Sequence, residues 1–226
     1  MVSDGSKNAV FDTTPLGTPI LALSPNSRKQ LLVSVSDIMR LNGNRIGDGV
    51  LMDKTSYEEV TQNLLEVIQY CLDKVALGPA LILLYSGIDT MAWLDRDVKH
   101  DDVLPGDFEN WVKDFMLPGT NLRCKPSDLY AARCSVLHSH AAESRLSRKQ
   151  AAKPIFYAFG NRTSQELQEH IDESKDYSDT IAIQIESLVD AFRKGIERFN
   201  QNLSENSERA NKVHQRAKKM LVTFKC

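Results

Sequence analysis

The chain has 226 residues, 42% hydrophobic and 26% charged, and its 30 acids offset 28 bases to leave a formal net charge of -2. This balance excludes a chain disordered throughout, and a chain of this length buries roughly 70% of its unfolded surface without a metal or disulfide staple. The N-terminal residues lack the basic-then-apolar order of a signal peptide, and the apolar run from Val75 to Tyr85 is shorter than the ~17 residues that cross a bilayer, so the expectation is a cytoplasmic protein with no membrane span.

Residues 1–54 read as an irregular arm or cap, because Pro15, Gly17, Pro19, Pro25 and Asn42-Gly43-Asn44 punctuate short apolar pieces. Leu32, Val35, Ile38 and Met39 fit helical spacing, whereas Val33 and Val35 alternating with Ser34 and Ser36 fit a strand, and both readings stay open. Residues 55–226 read as an all-α bundle. Thr55 and Glu58 have the spacing of a capping box, and Val60, Leu64, Leu65, Ile68 and Leu72 share one face of a helix ending near Gly78. Pro79 suits the first turn of a second helix with Leu81, Leu84, Tyr85, Ile88, Met91 and Ala92 on its core face. A third helix is expected from Asp107 to Met116, stopped by Pro118-Gly119. Ser127 can cap a fourth, which buries Leu129, Ala132, Val136 and Leu137 and carries Arg133 at its middle.

The stretch from Lys153 to Gly160 is aromatic and bounded by Pro154 and Gly160, the pattern of a strand or extended crossover. Thr163 and Glu166 repeat the capping-box spacing. Ile181, Ile185, Leu188, Phe192, Ile196, Phe199 and Leu203 then recur at steps of 4, 3, 4, 4, 3 and 4, which predicts one long amphipathic C-terminal helix beginning at Ile181. Ala210, Val213, Ala217 and Leu221 continue the stripe past a polar interruption from Asn200 to Asn206, and the face packs on the bundle or on a second subunit.

Charge is unevenly distributed. Between Ser86 and Pro118 eight acids stand against three bases, from Asn121 to Lys153 seven bases stand against two acids, and from Arg209 to the C-terminus there are six bases and no acid. Basic blocks of this kind mark a polyanion site, a solvated face or internal partners of the acidic block, and the last two readings carry more weight. Phosphate-loop, dinucleotide-binding, zinc-protease and nucleophile-elbow motifs are absent, which removes the main support for the corresponding enzyme classes. Asp95, Asp97, Asp101 and Asp102 lack the glycine and glutamate of a calcium hand and read as a solvated loop. Cys71, Cys124, Cys134 and Cys226 form no paired framework and read as free thiols, and Trp93 and Trp111 read as core or interface aromatics. No metal site and no cofactor are expected.

One constellation carries chemistry: Tyr130-Ala131-Ala132-Arg133-Cys134-Ser135-Val136-Leu137-His138-Ser139-His140. A guanidinium is a permanently charged fork for phosphate oxygens, and an imidazole exchanges a proton near neutral pH, so the pair suits phosphodiester chemistry. On an ideal helix His140 lies within ~20° of the Arg133 face and His138 lies ~140° away, so His138 needs a helix end nearby or a site built from two chains. The bland reading pairs Arg133 with an acid of the Ser86 to Pro118 block and makes His138 a hydrogen-bonded core residue.

The Arg-x-x-x-x-His order from Arg133 to His138, late in a run of helices, resembles the signature helix of the HEPN superfamily (higher eukaryotes and prokaryotes nucleotide-binding). That family consists of all-helical bundles, many of them metal-independent endoribonucleases, and its signature spacing admits both His138 and His140. The resemblance implies that Arg133 contacts the scissile phosphate and that His138 assists attack by the 2′-hydroxyl and departure of the 5′ oxygen. His140, Ser139 and Cys134 stand as alternative or supporting residues. Implied partners are RNA, a second copy in a homodimer, and an antitoxin or other protein, in a toxin or defence setting. Catalytic members usually carry Asn, Asp or His directly after the arginine, where this chain has Cys134, so the resemblance equally admits a catalytically inactive bundle that binds RNA, a nucleotide or a protein. A third reading is a helical scaffold in which Leu188 and Phe192 form a dimer seam.

Overall fold

The computed structural model describes residues 57–96, 102–139, 151–177 and 179–220. The chain divides into two units, Met1–Leu51 and Met52–Cys226. The first unit, including the arm, lies outside the described residues, and so does Thr55 with its capping-box reading. The described part of the second unit is mostly helical, with seven α-helices and one two-stranded sheet.

Helix α1 (Tyr57–Asp73) buries Tyr57, Thr61, Leu65, Ile68 and Leu72, the positions that helical spacing places on one face. The buried Thr61 hydroxyl donates to the Tyr57 carbonyl at 2.9 Å, so its polarity is satisfied within the helix. The helix closes in a two-bond reversal: Val75 N–H donates to the Leu72 carbonyl and Ala76 N–H to the Cys71 carbonyl. Val75 carries the left-handed φ of 57° that this reversal requires, a conformation usually left to glycine.

Helix α2 (Leu77–Asp95) runs through the middle of the bundle and packs against α1 and four of the helices introduced below. It buries Leu84, Tyr85, Ile88, Met91 and Leu94 completely, so its apolar surface extends most of the way round, as expected for a central helix. The apolar run read as ending at Tyr85 continues as a 19-residue helix that by length and composition is long enough to cross a bilayer. Its buried side chains are already covered by neighbouring helices, which is how the core helix of a bundle meets the same criteria. Gly87 marks the tightest contact: a Cβ there would sit 2.7 Å from Leu64 Cδ2 and 2.8 Å from Phe192 Cζ.

Helix α3 (Pro105–Trp111) passes into a π-helical turn over Val112–Met116, and Gly119 at φ 69° ends the segment after Pro118. Helix α4 spans Pro126–Ser139. Ser127 is not its cap. Pro126 takes the first helical position, and the Asp128 carboxylate reaches back to the Lys125 N–H at 2.8 Å. The second oxygen of Asp128 accepts the Lys153 N–H at 2.7 Å, tying α4 to the chain leading into the first strand.

Strand β1 (Ile155–Ala158), helix α5 (Ser164–Glu173) and strand β2 (Ile181–Gln184) make a parallel pair joined by a helical crossover, with Ile155 opposite Ile181 and Ala158 opposite Gln184. The chain is therefore not purely helical, and Ile181 belongs to a strand rather than to the start of the long helix. Gln168 of α5 covers the outer edge of β2, accepting the Ala182 N–H at 2.8 Å and donating to the Thr180 carbonyl at 3.2 Å. The expected single C-terminal helix is two: α6 (Ile185–Glu205) and α7 (Ser207–Ala217), separated at Asn206, whose side chain caps α7 by accepting the Arg209 N–H at 3.0 Å. Leu188, Phe192 and Phe199 of α6 are fully buried against α2, α3 and the π turn. Phe192 meets Trp111 edge-on, and Phe199 meets Phe115 in the same way. The α6 stripe thus faces this chain's own core, and Leu188 and Phe192 form no exposed dimer seam.

Candidate functional site

Arg133 emerges from the middle of α4 and meets α2. Its Nε donates to Asp89 Oδ2 at 2.8 Å and its Nη2 lies 2.7 Å from the same oxygen. The two side chains keep 23% and 19% of their surface exposed, so the pair is sheltered but reachable from solvent. Burial pulls the Arg133 pKa down, but the hydrogen bond and charge of Asp89, with help from Cys134, leave it above its ordinary value and the guanidinium firmly charged. The partner comes from the acidic block between Ser86 and Pro118, as the bland reading of Arg133 anticipated. The C-terminal basic block does likewise, with Arg209 Nε donating to Asp95 at 2.8 Å.

Around Arg133 the helix is packed by aromatic and thiol side chains. Tyr130 stacks edge-on against Phe108 with ring centroids 5.5 Å apart. Burial, reinforced by Cys134 one turn further on, pushes the Tyr130 phenol above its usual pKa. Cys134 is half-buried beside Tyr130 and Arg133 on the same helix. Ser135 is buried and donates to the Ala131 carbonyl at 3.2 Å. His138 and Ser139 occupy the last turn of α4. Their side chains, and His140 altogether, lie outside the described residues.

Sequence reasoning singled out neither Asp89 nor a second polar contact, between Tyr85 of α2 and Tyr157 of β1. Their hydroxyls are 2.5 Å apart beside Cys124. Burial raises both phenols well above their ordinary range, and burial together with Asp128 pushes the Cys124 thiol up to about 12. These groups stay protonated near neutral pH and serve as a neutral clamp between α2 and the sheet. The available signal for Asp89 was its setting, a carboxylate inside the apolar run Ile88-Asp89-Thr90-Met91-Ala92. Of the acidic loop, Asp95 is held by Arg209, while Asp97 and Asp101 lie outside the described residues. Among the described residues no three His, Cys, Asp or Glu side chains converge to hold a metal ion. No family model matches the chain, and neither a curated protein nor a solved structure does.

Proposed function

We propose that this chain is a HEPN-like, metal-independent endoribonuclease of the toxin or defence-effector kind, with Arg133 and His138 as its catalytic residues. The observation that carries this reading is the charged, solvent-reachable Arg133 fixed by Asp89 at 2.7–2.8 Å in a helical bundle, with His138 following in the last turn of the same helix. A guanidinium held before substrate arrives loses little freedom when it meets a phosphate, which suits stabilisation of charge on the scissile group. In the proposed step the 2′-oxygen attacks phosphorus, the 5′-oxygen leaves, and His138 handles the proton, giving a 2′,3′-cyclic phosphate and a 5′-hydroxyl. Five residues of helix turn His138 ~140° from Arg133, so a homodimer in which two copies of α4 share one cleft completes the site most simply.

A second reading, an inactive bundle that binds RNA, a nucleotide or a protein partner, is favoured by the same ion pair, since Asp89 competes with phosphate for the Arg133 guanidinium. Cys134 in place of the family's usual polar residue points the same way. The deciding experiment incubates end-labelled mixed-sequence RNA with the full chain in excess EDTA. Cleavage with cyclic phosphate ends, reduced about 10²- to 10⁴-fold in both His138→Ala and Arg133→Ala, is the expected result. Cleavage undiminished in both variants overturns the site assignment. Intact RNA that is nevertheless retained on the protein at low salt transfers the assignment to the inactive binder.

A further inference from the structure

A second polar site lies at the C-terminal end of α2, where α6 and α7 meet. A pocket of about 410 Å³ opens there, lined by Arg96, Arg209, Lys212 and Arg216 together with Asp95, Glu208 and Asn206. Four cations against two carboxylates leave an excess of two positive charges. The carboxylates are already engaged: Asp95 receives Arg209, and Glu208 receives Lys212 at 2.7 Å. Arg216 is buried and donates to the Leu94 carbonyl at 2.6 Å, so it is held rigidly in the wall. Arg96 differs from these. Its Nε and Nη1 are buried with no hydrogen-bond acceptor, and the Trp93 ring, 5.8 Å from the guanidinium carbon, accepts no conventional hydrogen bond.

Buried polar groups are ordinarily satisfied, and a charged donor without an acceptor is the costliest exception. The other buried side-chain nitrogen without a partner among the described residues is the Trp111 indole, which sits in the aromatic core. Arg96 instead lines an open cavity whose excess positive charge draws in an anionic acceptor of the kind its unmet donors need. Helix α7 begins at this pocket with Asn206 as its cap, so the positive end of its dipole adds to the same field. A planar fork with two unmet donors, an adjacent ammonium and a helix start together match the tetrahedral, doubly charged oxygens of a phosphate.

The geometry points to a phosphate-binding site in the pocket between α2 and the α6–α7 elbow, with Arg96 as the principal ligand and Lys212 at its rim. Polar lining of this kind suits a small phosphorylated compound or inorganic phosphate rather than an apolar ligand. The site does not depend on the ribonuclease reading, because none of its residues belongs to the Arg133–Asp89 pair and its readout is binding alone.

The test is isothermal titration of the full chain with inorganic phosphate and, separately, with glycerol 3-phosphate, at an ionic strength held constant with chloride. Saturable single-site binding is expected, weakened about tenfold or more by Arg96→Gln and several-fold by Lys212→Gln, as loss of charge-assisted hydrogen bonds implies. Lys194→Gln removes a cation of α6 that pairs with Asp190 and does not line the pocket, and it should leave binding unchanged. Tighter binding of the ester supports a phosphorylated metabolite, and equal or weaker binding of the ester supports free phosphate. Absence of saturable binding with both probes overturns the proposal, as does unchanged affinity in Arg96→Gln. Should Arg96→Gln fail to fold, unchanged affinity in the exposed Lys212→Gln overturns it instead.

Discussion

Asp89 follows the buried Ile88 in α2 and keeps only 19% of its side-chain surface exposed, and a carboxylate partly withdrawn from water there carries a desolvation cost that a cation and hydrogen bonds must offset. Arg133 meets it through two nitrogens, which makes the two residues one unit. Arg133→Ala should therefore destabilise by about 1–3 kcal/mol, much of it from the stranded Asp89 charge, and Asp89→Asn added to it should recover part of the loss. Denaturant midpoints of the two single variants and the double variant check this, and strictly additive losses would show the pair to be uncoupled. Glu166 makes the opposite case, a fully exposed carboxylate whose value comes from geometry. Its Oε2 accepts the Thr163 N–H at 2.8 Å while the Thr163 hydroxyl accepts the Glu166 N–H, so its pKa lies below the usual value. A lowered folded-state pKa means that unfolding takes up a proton. The cap is then fully present above the ordinary carboxylate range near pH 4.3 and is lost as pH falls through the lower folded value. Glu166→Ala should lower the melting temperature at pH 7, and its difference from the parent chain should vanish in strongly acidic buffer. A difference that persists undiminished there would assign the effect to helix propensity rather than to the cap.

At the scale of elements, the reversal between α1 and α2 places a β-branched residue where glycine is at ease. Val75 is 61% exposed, so its side chain recovers little by packing. Val75→Gly should stabilise by about 1 kcal/mol, the relief of a left-handed L-residue outweighing the extra freedom glycine gives the unfolded chain. An unchanged or lower denaturant midpoint would show that the turn relaxes around valine. The helices of the bundle were legible in the sequence because their buried residues repeat at three and four and their ends carry local signals, such as the Thr163–Glu166 box. Strand β2 was not, because Ile181 and Ile185 stand one helical turn apart and extend the α6 stripe backwards. Pairing with β1 and the seal from Gln168 decide the matter, and both come from residues more than ten positions away. The break at Asn206 left a trace in composition, a polar stretch followed by Asn-Ser, the residue types that cap helices. Arg133 was legible as a chemical group, whereas its partner Asp89 lies 44 positions earlier and is joined to it only by helix packing.

At the scale of the whole molecule, one cation from each basic block makes an internal connection to the acidic block among the described residues. Arg133 and Arg209, from two basic segments, both pair with acids of the one acidic block that precedes them, and each pair joins helices distant in sequence. The apolar stripe resolves likewise, since α6 spends its buried face on α2, α3 and the π turn. A homodimer that shares a cleft between two copies of α4 must therefore use a different surface. This separates fold stability from association in a way that experiment can read. Phe192 is fully buried, touches Trp111 and closes over Gly87, so Phe192→Ala should cost about 3–5 kcal/mol through lost contacts and the cavity left behind. Association contributes to stability by mass action, so a residue in a subunit seam would give a loss that reflects a change in dimer affinity and in the concentration dependence of the melting temperature. A residue of the monomer core should give the same free-energy loss at low and high protein concentration, whether or not the parent chain dimerises elsewhere. Thermal or urea unfolding of both proteins across a hundredfold range of concentration distinguishes the two. A Phe192→Ala penalty that disappears on dilution would return the α6 stripe to a subunit interface.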